Sequence, residues 1–211
     1  WGNRVQVPGR DGAVTVFRYD GRGRLTDHVL ETGARFSYEW DGADRLVAVR
    51  RVDEDPAGVL FAYEGEDRNP STVTDPAGGV TRLVWDRNLL TRVVDPTGVT
   101  MAFGYDGRGD LVSAMNAVGD TARLVRDGAG RVVAAVSPLG HRTEYRYDGA
   151  GRLVSRRDPD GALWRFEHTA GGRLAAVVDP EGGRTVVEYG PGGAEHVTTD
   201  PLGRAVVMGY D

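Results

Sequence analysis

The sequence predicts an all-β fold, an antiparallel β-meander built from repeated hairpins. A Tyr-Asp dipeptide or a close variant recurs about every 21 residues, two kinds of turn motif alternate at intervals of about ten residues, and apolar and polar residues alternate between the turns. A fixed period of this length is typical of repeat architectures, in which one supersecondary unit is copied and stacked. Short alternating segments joined by turns are typical of β-hairpins.

The recurring dipeptides, which we call anchors, set the period of the chain. Their successive spacings are 21, 23, 22, 20, 21, 21, 21, 21 and 21 residues. The anchors are Tyr19-Asp20, Trp40-Asp41, Tyr63-Glu64, Trp85-Asp86, Tyr105-Asp106, Arg126-Asp127, Tyr147-Asp148, His168-Thr169, Tyr189-Gly190 and Tyr210-Asp211. Several anchors lead into a Gly-x-Gly stretch, as Asp148 does into Gly149-Ala150-Gly151, which predicts a first turn whose glycines supply positive φ values.

The second turn of six repeats has the sequence Asp-Pro-x-Gly. Asp at position i, Pro at i+1 and Gly at i+3 match a type I turn. The predicted turns are Asp55-Pro56-Ala57-Gly58, Asp75-Pro76-Ala77-Gly78, Asp95-Pro96-Thr97-Gly98, Asp158-Pro159-Asp160-Gly161, Asp179-Pro180-Glu181-Gly182 and Asp200-Pro201-Leu202-Gly203. We expect each of these aspartates to accept backbone hydrogen bonds within its own turn.

A period of two residues predicts which face of the strands is apolar. The residue two places before each anchor is always apolar or aromatic, as at Phe17, Tyr145 and Phe166, whereas the residue between is mixed and often charged. One face should therefore carry a ladder of large side chains. Ten repeats of two strands give about 20 strands, and twisted sheets of more than ~10 strands usually curl or split. The array is expected to curl.

Composition narrows the function classes. The 26 basic residues are all arginine, the 31 acidic residues give a formal net charge of −5, and the two signs are interleaved. This argues against nucleic acid as the main partner, since phosphate binding needs a concentrated basic face. Cysteine is absent, so thiolate metal sites and disulfides are excluded. No apolar run approaches the ~20 residues that a membrane-spanning helix needs.

These motifs resemble a known family. The stretches Tyr19-Asp20-Gly21-Arg22-Gly23-Arg24-Leu25 and Tyr147-Asp148-Gly149-Ala150-Gly151-Arg152-Leu153, together with the six Asp-Pro-x-Gly turns in register, are similar to the YD repeat of Rhs proteins. That family includes the C component of insecticidal Tc toxins, cell-wall-associated bacterial toxins and teneurins. The resemblance covers essentially the whole chain.

The resemblance implies both a fold and a role. It implies a β-strip that spirals into a hollow shell, which in bacterial members encloses a toxic C-terminal polypeptide. We therefore expect a structural, non-enzymatic shell segment of a secreted or cell-surface bacterial toxin, whose partners are further repeats and the enclosed polypeptide. Residues 1–211 are expected to form a single array and to be a fragment of a longer protein.

No catalytic, cofactor-binding or metal-binding residue is expected. Paired Asp-Pro-x-Gly segments resemble the autoprotease signature of relatives, but their spacing here is that of the repeat. An EF-hand reading of residues 156–167 fails because Arg156 cannot be a ligand. The tripeptide Arg108-Gly109-Asp110 is read as drift of an anchor turn, and His168 as a ladder residue. Aromatic rings beside arginine and carboxylate also suit carbohydrate, which leaves a glycan-binding surface adhesin as the alternative function.

Overall fold

The chain consists of β-strands joined by turns. The computed structural model describes residues 4–9, 14–190 and 195–209, and these residues form twenty strands and no helix. They divide into two compact units, one comprising Trp1–Gly104 with Asn116–Val118 and the other Tyr105–Met115 with Gly119–Asp211. The all-β prediction and the expected number of strands are confirmed.

The first unit is an antiparallel meander in which each strand pairs with the next along the chain. Its strands are β1 (Arg4–Pro8), β2 (Val14–Tyr19), β3 (Leu25–Val29), β4 (Arg35–Trp40), β5 (Leu46–Arg51), β6 (Asp55–Ala62), β7 (Thr72–Thr74), β8 (Val80–Asp86), β9 (Leu89–Val94) and β10 (Thr100–Tyr105), whose last residue belongs to the second unit.

The second unit repeats this arrangement, again with sequential antiparallel pairing from β11 to β20. Its strands are β11 (Leu111–Met115), β12 (Thr121–Arg126), β13 (Val132–Val136), β14 (Arg142–Tyr147), β15 (Leu153–Arg157), β16 (Leu163–His168), β17 (Leu174–Val178), β18 (Arg184–Tyr189), β19 (Glu195–Thr199) and β20 (Ala205–Gly209).

The two kinds of turn share one backbone geometry. In the anchor turn the N–H of Gly151 donates to the carbonyl of Asp148 at 3.0 Å, and in the Asp-Pro-x-Gly turn Gly161 donates to Asp158 at 2.9 Å. Both glycines have positive φ, 80° and 91°. This is a type I turn closed by a left-handed residue, which joins neighbouring strands without splaying them. The first glycine of the anchor motif, such as Gly149, does not have a positive φ, so the expectation that both glycines supply one is wrong.

The anchor hairpins contain one extra feature, a β-bulge. The register shifts by one residue between Arg146 and Tyr147, and equivalent shifts occur at five other anchors, between residues 18 and 19, 39 and 40, 84 and 85, 125 and 126, and 167 and 168. A bulge leaves one residue unpaired and increases the local twist. Each such hairpin is therefore twisted next to its anchor.

The turn predicted at Asp55-Pro56-Ala57-Gly58 is wrong. These residues lie in β6, and the chain reverses earlier, where the N–H of Glu54 donates to the carbonyl of Arg51 at 3.3 Å. Gly58 has a φ of 64° and sits so close to β5 that a Cβ atom there would lie 2.5 Å from the carbonyl oxygen of Val49. The motif is used here for a close approach of two strands, not for a reversal.

The predicted face alternation is present, although burial is shallower than a two-layer fold would give. Phe17, Tyr145 and Phe166 are half-buried and are followed by exposed residues. In the described part of the chain no large side chain is fully buried, and the buried hydrophobic residues are Ala48, Ala134 and Ala176, at 2%, 0% and 0% exposure. These alanines lie on the charged face of the strands, not on the face that carries the large side chains. Longer side chains of neighbouring residues cover them there.

Candidate functional site: the anchor ladder

The anchor turn is closed by an aspartate and an arginine four residues later. Asp148 Oδ1 accepts the backbone N–H groups of Ala150 and Arg152 at 2.9 and 3.0 Å, and Oδ2 accepts Arg152 Nε at 2.7 Å. The backbone N–H of Arg152, followed by its guanidinium, holds the pKa of Asp148 below its usual value, although partial burial opposes this. The same pairs form in the anchor turns at Asp20 with Arg24, Asp41 with Arg45 and Asp127 with Arg131, and in one Asp-Pro-x-Gly turn at Asp200 with Arg204.

The arginine also reaches the next anchor along the chain. The guanidinium of Arg131 lies over the ring of Tyr147, 5.0 Å from its centroid, and Nη1 donates to the carbonyl of Asp148 at 3.4 Å. Arg45 lies 4.6 Å over Tyr63 in the same way. A cation above an aromatic face is attracted by the ring quadrupole. Each complete anchor turn is thereby connected to its successor.

The anchor side chain itself makes the return connection. Tyr147 donates its hydroxyl to the carbonyl of Val132 at 2.8 Å, and Val132 is the first residue of the strand that follows the preceding anchor turn. Equivalent bonds run from Trp40 Nε1 to Leu25, from Tyr63 Oη to Leu46 and from Trp85 Nε1 to Pro70. We call this two-way set of contacts, made by the anchor side chain, its aspartate and the following arginine, the anchor ladder.

Not every anchor is complete. At Trp85-Asp86 the turn has only two residues, Arg87 and Asn88, with φ values of 48° and 65°. Both central residues in the left-handed region are typical of a type I′ hairpin, and Asn is among the residues that tolerate it. At the tenth anchor, Tyr210 and Asp211 lie outside the described residues. His168 occupies the anchor position, but its imidazole ring makes no hydrogen bond within the described part of the chain.

The Asp-Pro-x-Gly aspartates lie at the other ends of the strands, away from the anchors. Asp75, Asp95, Asp179 and Asp200 accept backbone N–H groups of their own turns. Gly78, Gly98, Gly161, Gly182 and Gly203 all have φ values between 82° and 91°, and Pro76, Pro96, Pro159, Pro180 and Pro201 occupy the second turn position. No contact joins one of these described carboxylates to another.

Asp158 departs from the expectation that its carboxylate is used by its own turn. Its Oδ2 accepts Arg156 Nη2 at 2.9 Å and Trp164 Nε1 at 3.1 Å, while the neighbouring Asp160 accepts the turn N–H of Ala162 at 3.0 Å. Arg156 also stacks on Trp164, 5.2 Å from the ring centroid. The register places Arg156 opposite Tyr145, on the apolar face.

Sequence reasoning missed the arginines of the ladder. They are Arg24, Arg45, Arg131, Arg152 and Arg173, each four residues after the second residue of an anchor. Their fixed position in the motif was the available signal, but a motif shows that a residue recurs and not which neighbouring repeat its side chain contacts. The tripeptide Arg108-Gly109-Asp110 lacks the ladder arginine but still contacts the next anchor turn, since Arg108 Nη1 donates to the carbonyl of Gly128 at 2.6 Å.

The described residues hold no other constellation with clear chemistry. Within them no three His, Cys, Asp or Glu side chains gather in a way that could hold a metal ion. The described strands and turns include no helix that is long and apolar enough to cross a membrane. The chemistry of the site is therefore that of hydrogen bonds, ion pairs and stacking between successive repeats.

Solved structures share this fold. The chain matches the Tc holotoxin pore of Photorhabdus luminescens with a TM-score of 0.66 and 16% identity, covering 98% of this chain and 13% of that one. It matches a TcdB2-TccC3 crystal structure with a TM-score of 0.65 and 15% identity, covering 94% of this chain and 12% of the other. Among curated proteins, a sequence search finds no significant match.

A family model for the RHS repeat matches residues 19–59, 126–163 and 147–185. The matched stretches are RHS repeats. The RHS matches coincide with the complete anchor turns, those of Asp20, Asp41, Asp127 and Asp148. The stretch between them contains the long loop after Tyr63, the two-residue turn at Arg87 and the replacement of a ladder arginine by Asp110. What the RHS model recognises is thus also what connects one repeat to the next.

Proposed function

We propose that the chain is a structural wall segment of the shell of an Rhs-type toxin, which encloses a polypeptide and helps to deliver it. The observation that carries the proposal is the likeness of fold to the Tc toxin structures over 98% of the chain. The chain spans only 13% of the length of the first of these relatives, so it would supply part of a wall. Its working place would then be outside the bacterial cell or at its surface.

The anchor ladder supports a mechanical role. A wall made of a single layer of strands has no second layer to hold it, and in the described residues no large side chain is fully buried. Arg131 and Tyr147 connect neighbouring repeats in both directions along the chain, so each repeat is held by its neighbours. On this proposal the side chains serve assembly and carry out no reaction.

The adhesin alternative gains no support from the rings it would use. The anchor rings of Tyr63 and Tyr147 are half-buried, carry an arginine on one face and donate their hydroxyls to backbone carbonyls. A ring engaged in this way has little free surface on which a sugar could stack.

Limited proteolysis of the native protein that carries this chain tests the enclosure. The proposal predicts a polypeptide that resists protease until denaturant opens the wall, while exposed loops such as residues 64–68 are cut first. Mass spectrometry identifies the protected peptides. Cleavage of every segment at similar rates without denaturant would contradict enclosure, and self-cleavage abolished by Asp158→Asn, Asp179→Asn or Asp200→Asn would favour an enzyme instead.

A further inference from the structure

The charged face of the second unit contains a groove lined by three arginines. Arg146 on β14, Ser155 on β15 and Arg165 on β16 lie opposite one another in the register, and Arg157 lies two residues further along β15. These side chains line the groove together with Leu163. With strands ~4.8 Å apart and residues i and i+2 ~6.8 Å apart, the three arginines form a triangle with sides of ~8–10 Å.

The three guanidinium groups of the groove have no partner. The side chains of Arg146, Arg157 and Arg165 are exposed and make no ion pair or hydrogen bond within the described residues. Glu144 lies opposite Arg157 in the register, but its carboxylate pairs with Arg142. Two other arginines of the same face are paired, Arg184 with Glu167 at 2.7 Å and Arg142 with Glu144 at 3.1 Å, whereas Arg123 stands alone and not in a cluster. The groove is therefore a local concentration of positive charge in a chain whose formal net charge is −5.

We propose that this groove binds an acidic segment of a polypeptide. The planar guanidinium matches a carboxylate with two parallel hydrogen bonds. In an extended peptide, alternate side chains are ~6.8 Å apart, so glutamates at every second position can reach two or three of the arginines. Leu163 adds an apolar contact for the intervening residues. The inference concerns a ligand of one face and goes beyond the role of the chain in a wall.

A nucleic acid fits the same groove less well. Single-stranded nucleic acids gain much of their affinity from bases stacked on aromatic rings, and no aromatic side chain lines the groove. Glu144, which does line it, repels carboxylates and phosphates alike and does not discriminate between the two ligands. The lack of a stacking ring in the groove lining favours the acidic peptide.

The test measures fluorescence anisotropy of a labelled nonapeptide with glutamate at every second position and serine between. The 211-residue chain is titrated at 50 mM NaCl, where surface charges are weakly screened. The variant combines Arg146→Gln, Arg157→Gln and Arg165→Gln. The matched control combines Arg82→Gln, Arg92→Gln and Arg123→Gln, which removes the same charge from three exposed arginines that also have no ion pair in the described residues.

The groove variant is expected to bind the peptide at least about tenfold more weakly, and the control less than about twofold more weakly. Circular dichroism checks that both triple variants fold. If the groove variant does not fold, the single change Arg157→Gln replaces it, with an expected loss of affinity of about threefold. Equal weakening in both triple variants, no binding by the parent chain, or tighter binding of a single-stranded oligonucleotide of equal charge would overturn the proposal.

Discussion

Two neighbouring junctions in the second unit connect successive repeats by different chemistry. At the first, Arg131 stacks on Tyr147, and the Tyr147 hydroxyl donates to the carbonyl of Val132. At the second, Asp110 stands where the arginine is expected and Arg126 stands where the aromatic ring is expected. Arg126 Nε and Nη2 donate to the carbonyl of Leu111 at 3.2 and 3.1 Å.

The comparison shows what an anchor must provide. Val132 and Leu111 each begin the strand after the preceding anchor turn, and each lies 15 residues before the anchor that donates to it. Trp, Tyr and Arg share a long side chain with a hydrogen-bond donor near its end. An unpaired backbone carbonyl that is shielded from water is costly, so a donor there stabilises the junction. The donor, more than the ring, is the common requirement.

The largest effect is expected from removing a complete anchor. Tyr147→Ala loses the stacked ring and the hydroxyl, and should lower the free energy of unfolding by about 2–3 kcal/mol, less than for a fully buried aromatic residue because Tyr147 is half-buried. Tyr147→Phe keeps the ring and should cost about 1 kcal/mol. Urea unfolding followed by circular dichroism measures both. If the two variants were equally unstable, the ring would contribute nothing.

Substitutions at the second junction should lower the free energy of unfolding by less, and a second substitution should restore part of it. Arg126→Tyr removes the guanidinium that donates to the carbonyls of Leu111 and Gly130, and Asp110→Arg puts an arginine where Arg131 stands in the first junction. Each change should cost about 1–2 kcal/mol. The double variant rebuilds the arrangement seen at Arg131 and Tyr147, so it should be more stable than the sum of the two by at least about 0.5 kcal/mol. Strict additivity in a double-mutant cycle would show that residues 110 and 126 do not act together.

The sequence predicted the strands well because the period of the chain is carried by local features. Leu25, Leu46 and Val132 begin strands directly after anchor turns, as expected from the turn chemistry. The failures occurred where a tertiary contact overrides a local motif. Gly58 is needed for a close approach to Val49, so its Asp-Pro-x-Gly motif lies within a strand.

The candidate site was predicted only in part, since its anchors are visible in the sequence and its contacts are not. Arg156, a charged residue, lies on the apolar face between Asp158 and Trp164, which its sequence position does not reveal. A bulge at six of the anchors changes the register, and alternation within one strand does not reveal it. The role of the ladder arginines likewise depends on which anchor side chain of the next repeat they contact.

A defective anchor offers the opposite test, a gain of stability. The imidazole ring of His168 makes no hydrogen bond in the described structure. Leu153 begins the strand 15 residues earlier, in the position from which the carbonyl of Val132 accepts the Tyr147 hydroxyl. His168→Tyr should supply both the donor and a ring for Arg152, and raise the free energy of unfolding by about 1 kcal/mol. His168→Phe, the control, should gain less than half of this. A loss of stability with Tyr would show that this junction lacks the space that Tyr147 has.

The smallest effect should be the dependence of stability on pH. It distinguishes the two junctions because the pKa values of their anchor aspartates are lowered by different groups. The pKa of Asp127 is lowered first by the guanidinium of Arg131, and that of Asp106 first by the backbone N–H of Arg108. Both pKa values are lowered in the folded chain. The two carboxylates therefore contribute fully to the free energy of unfolding above the unfolded pKa of about 3.9, and this contribution is lost as the pH falls through their folded pKa values. The melting temperature should therefore stay level from about pH 7 to 5 and fall below about pH 4.

Salt then distinguishes the two carboxyl groups within that window. High salt screens the ion pair of Asp127 with Arg131, whereas a bond from a backbone N–H is far less sensitive to it. In carboxyl NMR titrations, 1 M NaCl should raise the pKa of Asp127 more than that of Asp106. Arg131→Gln should reproduce the effect of salt on Asp127 and leave Asp106 unchanged. Equal responses to salt would mean that the arginine of the ladder does not stabilise its own turn, and that its contribution lies in the contact with Tyr147 alone.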